Sequence, residues 1–329
     1  MTPVTPAAPL DAVVVGGGPA GLSAATWLGR YRRSVVVLDS GEYRNRWVDR
    51  SHGYLGADPG DPMRLLERAR EDLARYETVT VRRARATAVR RDDAGRFLVS
   101  TEDGELVALR LVLATGIVDQ FPEVDGFLDH YGASVFHCPT CDGYEAEDRR
   151  VVVLGWSEHV AGFALGLLDW AAELTVVTED RPFEGEERHR AALERHGVAL
   201  LEDDAVAFEG DRGDLRAVLL RSGVRLAADL VFFSIAHHPR NDLARQLGCE
   251  VTGHGCLRVD HDCQTTVEGV YAAGDLTPGI QLAPVAVGKG TVAGVSCAAS
   301  LRGERGATTS PDPAPDPEAE VGEGAGSSQ

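Results

Sequence analysis

The chain is 329 residues long, with 51 Asp and Glu against 33 Lys and Arg, a formal net charge of -18 and 43% hydrophobic residues. That length suits about two domains with cores of their own, which excludes a small disulfide-stapled scaffold. The acidity disfavours nucleic acid and anionic membrane surfaces, because no basic patch offsets it: Lys289 is the single lysine, and the arginines are interspersed with carboxylates.

Met1 to Leu10 carries neither a basic residue nor an apolar core and does not read as a secretory signal. The longest uncharged run, Ala12 to Gly29, holds five glycines and Pro19, so it reads as a buried strand and turn rather than a membrane span. The expectation is a cytoplasmic protein, in which six cysteines are thiols or a redox pair.

Val13-Val14-Val15 is a short apolar strand, followed by Gly16-Gly17-Gly18-Pro19-Ala20-Gly21 and an apolar-periodic helix through Leu28. A second strand, Val35 to Leu38, ends at Asp39 and closes a βαβ unit. Val79 to Val89, Phe97 to Ser100 and Leu106 to Leu113 alternate as strands, with Asp103-Gly104 as a hairpin turn, and this part ends at Ala114-Thr115-Gly116. A second βαβ unit begins at Val151 to Leu154, turns at Gly155, runs helically through Trp170 and returns as Leu174 to Val177. Val206 to Leu220 and Val224 to Phe233 read as another hairpin. Val270-Tyr271-Ala272-Ala273-Gly274-Asp275 is one more strand, followed by a helix from about Leu282 to Leu301. From Gly306 to Gln329 the chain is dominated by Gly, Ala, Pro, Ser and acid, with five carboxylates and no basic residue, and is expected to be a disordered acidic tail.

The first glycine cluster fits G-x-G-x-x-G through Gly16, Gly18 and Gly21. The first glycine turns tightly, the second admits a pyrophosphate and the third packs helix on strand, while the helix N-terminus offers N–H donors and partial positive charge. Asp39 is placed to accept from a ribose hydroxyl. A glycine-rich turn with no ligand is the bland alternative, but strand, helix, second strand and terminal acid are all in register for dinucleotide binding.

The second cluster is His137-Cys138-Pro139-Thr140-Cys141-Asp142-Gly143-Tyr144. Two cysteines three apart can form an exchangeable disulfide, and the carboxylate after them can hold the proton that thiol exchange needs. Half of a zinc site is one competing reading, weakened because Cys249, Cys256 and Cys263 form no second CxxC; two packed cysteines is another. No metal is expected. Joined to a dinucleotide fingerprint, the pair points to electron exchange between a flavin and a disulfide.

The order Gly16-Gly17-Gly18-Pro19-Ala20-Gly21, Ala114-Thr115-Gly116, Cys138-Pro139-Thr140-Cys141-Asp142-Gly143, Gly269-Val270-Tyr271-Ala272-Ala273-Gly274-Asp275 resembles the low-molecular-weight thioredoxin reductases and their relatives, over about residues 11 to 303. The resemblance implies an α/β fold of two Rossmann-like dinucleotide-binding domains (three-layer ββα), the second inserted into the first. Residues 1–116 and 242–305 would bind FAD, and 117–241 would be the insert. It further implies that Cys141 faces the flavin, Cys138 meets the substrate and Asp142 is the acid/base. Gly16, Gly18, Pro19, Ala20, Gly21, Asp39, Ala114, Thr115 and Gly116 would hold the cofactor, with Asp275 on the ribityl chain and Gln281, Leu282 and Ala283 near the ring. Such relatives are usually homodimers.

The insert departs from the family pattern. Its glycine loop should read G-x-G-x-x-A but is Gly155-Trp156-Ser157-Glu158-His159-Val160-Ala161, with bulk and negative charge where phosphates would lie. The His-Arg-Arg and later Arg that clamp the 2′-phosphate of NADPH in thioredoxin reductases are matched here by Thr178, Glu179, Asp180 and Glu184, so NADPH is disfavoured by sign. Glu179 could instead accept from the ribose of NADH. Dithiol oxidases of the gliotoxin and holomycin type share this departure, although they often carry His where this chain has Asp142; flavin reductases fed by ferredoxin are another such group. The favoured expectation is oxidation of a small dithiol, with O2 as acceptor. The alternative runs the relay backwards, from NAD(P)H or a reduced protein to a thioredoxin-like disulfide, and a flavin-binding redox sensor is the third. His137 could take a proton role or be a solvated loop residue, and His237-His238-Pro239 a hinge or a surface turn.

Overall fold

The computed structural model describes residues 8–302. The expected acidic tail, 306–329, lies outside the described residues.

β1 (Leu10–Val15) runs into a glycine turn and α1 (Pro19–Arg30), and β2 (Val35–Leu38) returns parallel to β1 with Val36 opposite Val13. α2 (Pro62–Leu73) starts at Asp61, whose side chain accepts from the Met63 and Arg64 N–H groups, and leads to β3 (Val79–Arg82) beside β2. β4 (Ala86–Arg91), β5 (Phe97–Thr101) and β6 (Gly104–Leu113) form an antiparallel meander. β7 (Ile117–Gln120), α3 (Phe127–His130), β8 (Val135–Phe136) and the single turn α4 (Pro139–Asp142) lead to the second βαβ unit, β9 (Arg150–Leu154), α5 (His159–Leu167) and β10 (Glu173–Val177). α6 (Glu187–Arg195) and β11 (Ala199–Leu201) follow, then a second meander of β12 (Ala205–Asp211), β13 (Asp214–Leu220) and β14 (Arg225–Ala227). The chain finishes with β15 (Leu230–Phe233), β16 (Ala236–Pro239), α7 (Asp242–Gln246), β17 (Val270–Ala272) and α8 (Ala283–Ser300).

The first sheet has the order β3-β2-β1-β6-β5-β4, with β17 also on β6. β6 makes this possible because it is ten residues long: its first half pairs with β5 and, from Ala108 onward, it pairs with β1. Successive side chains face opposite sides. Ala12, Val14, Val35 and Val37 therefore pack on α1 and α8, while Val13, Val15, Val36 and Leu38 pack with Phe97 and Val99 of the meander. The second sheet, β11-β10-β9-β15-β8, repeats the scheme: Val151, Val153 and Val176 meet α5, and Val152, Leu154 and Val177 meet Phe208, Leu215 and Val218 of the second meander. This is the expected α/β architecture of two three-layer ββα bodies. Among the described residues no helix is long and apolar enough to cross a membrane.

Two strand expectations change. Val79 to Val89 is two strands, β3 pairing parallel with β2 and β4 antiparallel with β5. Val206 to Leu220 is itself a hairpin turning at Arg212-Gly213, where Gly213 has φ +80°, and Val224 to Phe233 divides into β14 and β15. Asp229 fixes that division by accepting from the Arg150 backbone N–H (2.9 Å) and guanidinium (2.6 Å), which seats β15 on β9. Alternation reports a buried face, but not which neighbour supplies the hydrogen bonds.

α1 and α8 approach through small residues. A Cβ on Gly290 would lie 2.2 Å from the Ala20 carbonyl oxygen, and one on Gly294 2.5 Å from that of Ala24. Gly290→Ala is expected to lose about 1–3 kcal/mol of stability, read as a lower urea midpoint. An unchanged midpoint would mean that the two helices can move apart.

Candidate active site

A cavity of about 730 Å³ runs between the two bodies. Its lining includes Gly16, Gly18, Pro19, Ala20 and Asp39, then Ala114, Thr115, Gly116 and Asp275, and also Gln281, Leu282, Ala283, Cys141 and Asp142. Two expected site residues do not line it. Gly21 is a packing residue, since a Cβ there would lie 1.8 Å from the Gly16 carbonyl oxygen. Cys138, bonded to Cys141, is not among the residues that line it.

The glycine turn has the shape a diphosphate needs. Gly16 has φ +117° and its Cβ would meet the Ala114 carbonyl oxygen at 2.2 Å, whereas a Cβ on Gly18 would meet nothing within 4 Å. The turn is thus tight behind and open in front. No side chain caps α1, so its first-turn N–H groups are free for an anion. Gly17 admits the Asp39 carboxyl, whose Cγ would lie 2.3 Å from an added Cβ. Asp39 is buried, with one oxygen accepting from the Gly41 N–H (2.8 Å) and the other from Tyr43 Oη (2.5 Å) and Arg70 (3.2 Å). A ribose hydroxyl would share that acceptor. Burial, then Asp39, pushes the Tyr43 phenol up to about 12.

Ala114-Thr115-Gly116 joins the bodies. The Thr115 hydroxyl donates to the Arg240 carbonyl (2.7 Å), the Arg240 N–H donates to the Gly116 carbonyl (3.0 Å), and Gly116 sits at φ +66°. From there β7 pairs antiparallel with β16, with His237 opposite Asp119 and His238 opposite Val118. His237 and His238 therefore sit in a connecting strand rather than a free turn.

Arg44 is the site residue that sequence reasoning missed. It makes a two-pronged contact to Asp119 at 2.7 Å, meets Asp275 at 3.3 Å and donates to Gln281 Oε1 at 2.9 Å. One guanidinium thereby orders the connecting strand, the segment after β17 and the start of α8. Its signal in the sequence is nil, because its partners lie far along the chain. Burial raises the Asp275 carboxyl, with Arg44 opposing, whereas at Asp119 the Arg44 contacts prevail over burial and hold the carboxyl low. The N-terminus of α8 at Leu282 carries no side-chain cap, which leaves a partial positive charge beside the cavity.

Cys138 and Cys141 form a disulfide, and the Cys141 N–H donates to Cys138 Sγ at 3.1 Å. Asp142 is only 7% exposed, and burial followed by the Glu145 charge pushes its carboxyl up to about 7. A group poised there can both give and take a proton near neutrality. His137 also lines the cavity and is partly buried: burial lowers it to about 4, and its Nδ1 lies 3.0 Å from the hydroxyl of fully buried Tyr131.

The insert's own glycine turn carries a bulky stacked pair. Gly155 is required, as its Cβ would meet the Ser234 carbonyl oxygen at 2.6 Å, but next to it the Arg181 guanidinium lies over the Trp156 ring at 4.0 Å. The Glu184 N–H donates to the Trp156 carbonyl at 2.8 Å, drawing residues 181–184 over the turn. Thr178 is buried and donates to the Arg181 carbonyl (2.5 Å). Glu179 has φ +55°, its Oε1 is buried without a partner, and burial and Asp204 push it up to about 7. Among the described residues no group of three His, Cys, Asp or Glu could hold a metal ion.

The sequence model of the family described as Pyridine nucleotide-disulphide oxidoreductase matches residues 10–290. The chain belongs to that family. It is a thioredoxin reductase-like FAD oxidoreductase, and the cavity fits the cofactor that this membership implies. The chain is 30% identical over 314 residues to thioredoxin reductase tcpT of Claviceps purpurea (strain 20.1), covering 89% of this chain and 94% of that one. It is 35% identical over 164 residues to a probable thioredoxin reductase of Arthroderma benhamiae (strain ATCC MYA-4681 / CBS 112371), a match spanning 48% of this chain and 41% of the relative. The crystal structure of HlmI superposes with a TM-score of 0.85 at 32% identity, covering 91% of this chain and 94% of that chain.

Proposed function

We propose that this thioredoxin reductase-like enzyme oxidises a small dithiol to a disulfide, with O2 as the final acceptor. The observation that carries the reading is the contrast between two glycine turns: the first lines a cavity that also includes Cys141 and Asp142, and the second carries Trp156 with the Arg181 guanidinium stacked on it. In this reading residues 1–116 and 242–305 bind FAD and 117–241 form the insert, with β7 and β16 as the two connections. The protein acts in the cytoplasm as a homodimer.

One substrate thiol, deprotonated by the Asp142 carboxylate, attacks Cys138 Sγ and displaces Cys141 as a thiolate. The second substrate thiol attacks the mixed disulfide, releasing the product disulfide and leaving both cysteines reduced. Two electrons and two protons have then moved from substrate to the cysteine pair. FAD, when bound, supplies the two-electron acceptor that restores the disulfide. Gly16, Gly18, Pro19, Ala20, Asp39, Ala114, Thr115 and Gly116 would hold its nucleotide part, Asp275 its ribityl chain, and Gln281, Leu282 and Ala283 its ring.

The opposite direction, reduction of a thioredoxin-like protein by NADH or by a reduced electron carrier, uses the same cysteines. NADPH fits neither direction, given the carboxylates at Glu179, Asp180 and Glu184. Anaerobic mixing separates the readings: dithiothreitol is expected to bleach the flavin absorbance rapidly, and NADH and NADPH to leave it intact. Rapid bleaching by either nucleotide would overturn the oxidase direction.

A further inference from the structure

Between β2 and α2 the chain lays residues 48–52 along the cavity, and His52 reaches from there to the turn that follows the disulfide. Its Nε2 lies 3.2 Å from Glu145 Oε1 and its Nδ1 3.2 Å from Asp58 Oδ1. The other Asp58 oxygen accepts from the Gly53 N–H at 3.1 Å, so the loop closes around the imidazole. Glu145 stands three residues past Asp142, in the short turn Tyr144–Ala146, and its Oε2 is buried with no hydrogen-bond partner.

A carboxylate oxygen shut off from solvent without a partner is costly, and this one belongs to a residue three positions after the acid/base residue, on a side chain that is one-third exposed. The titratable groups facing Asp142 are Glu145 on its own turn and Tyr131 from the end of α3; those facing Glu145 are Asp142 and His52, with Asp58 behind the imidazole. Asp142 therefore feels one nearby negative charge, and the residue holding that charge is itself held by the opposite wall of the cavity.

We propose that His52 and Glu145 bridge the cavity-lining loop to the disulfide-bearing turn, and that Glu145, as a positioning residue, sets through its charge the pH at which Asp142 exchanges its proton. The proposal rests on the acid/base role given to Asp142 above. With the bridge made, His52 shields the Glu145 charge; with it broken, Asp142 faces that charge unshielded and gives up its proton only at higher pH.

The test is the pH dependence of anaerobic flavin reduction by saturating dithiothreitol in the holoenzyme. The limb belonging to Asp142 is the one missing in Asp142→Asn. Glu145→Gln is expected to move that limb to lower pH and His52→Gln to higher pH, so that one unit below the parent midpoint the rates change about threefold in opposite directions. A purely structural bridge would slow both variants without moving the limb. Asp58→Asn, on an exposed carboxylate, should follow His52→Gln with a smaller shift. If Asp142→Asn loses the limb while Glu145→Gln and His52→Gln keep it where the parent has it, the bridge is refuted and the Asp142 role stands. A limb that survives in Asp142→Asn refutes that role and the bridge with it. The pH dependence of the melting temperature in Glu145→Gln, expected to shift in the same direction, gives a readout independent of turnover.

Discussion

Cys141→Ser should lower dithiol-driven turnover at least about a thousandfold, as loss of a covalent participant does in other enzymes. The two cysteines are not equivalent. Cys141 lines the cavity and Cys138 does not, and in the proposed reading substrate meets Cys138 while electrons leave through Cys141. Both serine variants should lose turnover, but they should differ toward a disulfide reagent. In Cys141→Ser the free Cys138 thiol is expected to be captured readily as a mixed disulfide. In Cys138→Ser the Cys141 thiol should be captured more slowly once FAD fills the cavity, and at a similar rate when FAD has been removed. Equal capture with FAD bound would assign the roles wrongly, and substantial turnover by either variant would remove the disulfide from the reaction.

Asp142→Asn should make the protein more stable and less active at the same time. In the folded chain the Asp142 carboxyl is raised to about 7, above the unfolded value of about 3.9. The folded state therefore binds an extra proton between those values. The resulting stabilisation is fully present below pH ~4 and is lost as pH rises to about 7, on the order of 4 kcal/mol in total. Asparagine does not titrate, so the variant escapes this loss and should melt higher than the parent at pH 8. Activity should fall by about 10²–10⁴-fold, the usual contribution of a positioned acid/base, and the limb near pH 7 should vanish. Calorimetry across pH 4–8 beside a pH–rate profile checks both halves. A variant that melts lower at pH 8 would place Asp142 as a structural acceptor rather than a proton carrier.

Local signals in the sequence are strongest where one segment carries the whole requirement. Gly16 to Gly21 needs only its own backbone and the adjoining carbonyl of Ala114 to make an anion cradle, and the spacing of Cys138 and Cys141 alone permits the disulfide. The departure at Gly155-Trp156-Ser157 is equally local: the bulk of Trp156 in a glycine turn shows without coordinates. Both βαβ units were legible for the same reason, since each is a strand, turn and helix whose burial pattern is written in consecutive residues.

What folding alone decided concerns partners distant along the chain. Arg44 meets Asp275 and Gln281 because β17 lies on β6 and brings the start of α8 over the segment after β2; neither pattern nor periodicity encodes that pairing. His52 and Glu145 meet across a cavity formed between two separately built bodies. β3 and β4 part within one alternating stretch because side-chain alternation fixes which face is buried, while hydrogen-bond partners depend on which strand edge is free. The sequence by itself determined the chemistry present, namely a dinucleotide cradle and an exchangeable cysteine pair with an acid beside it. The tertiary structure decided that Cys141 lines the cavity and which charges surround that acid, because position and electrostatic environment are properties of packing in three dimensions.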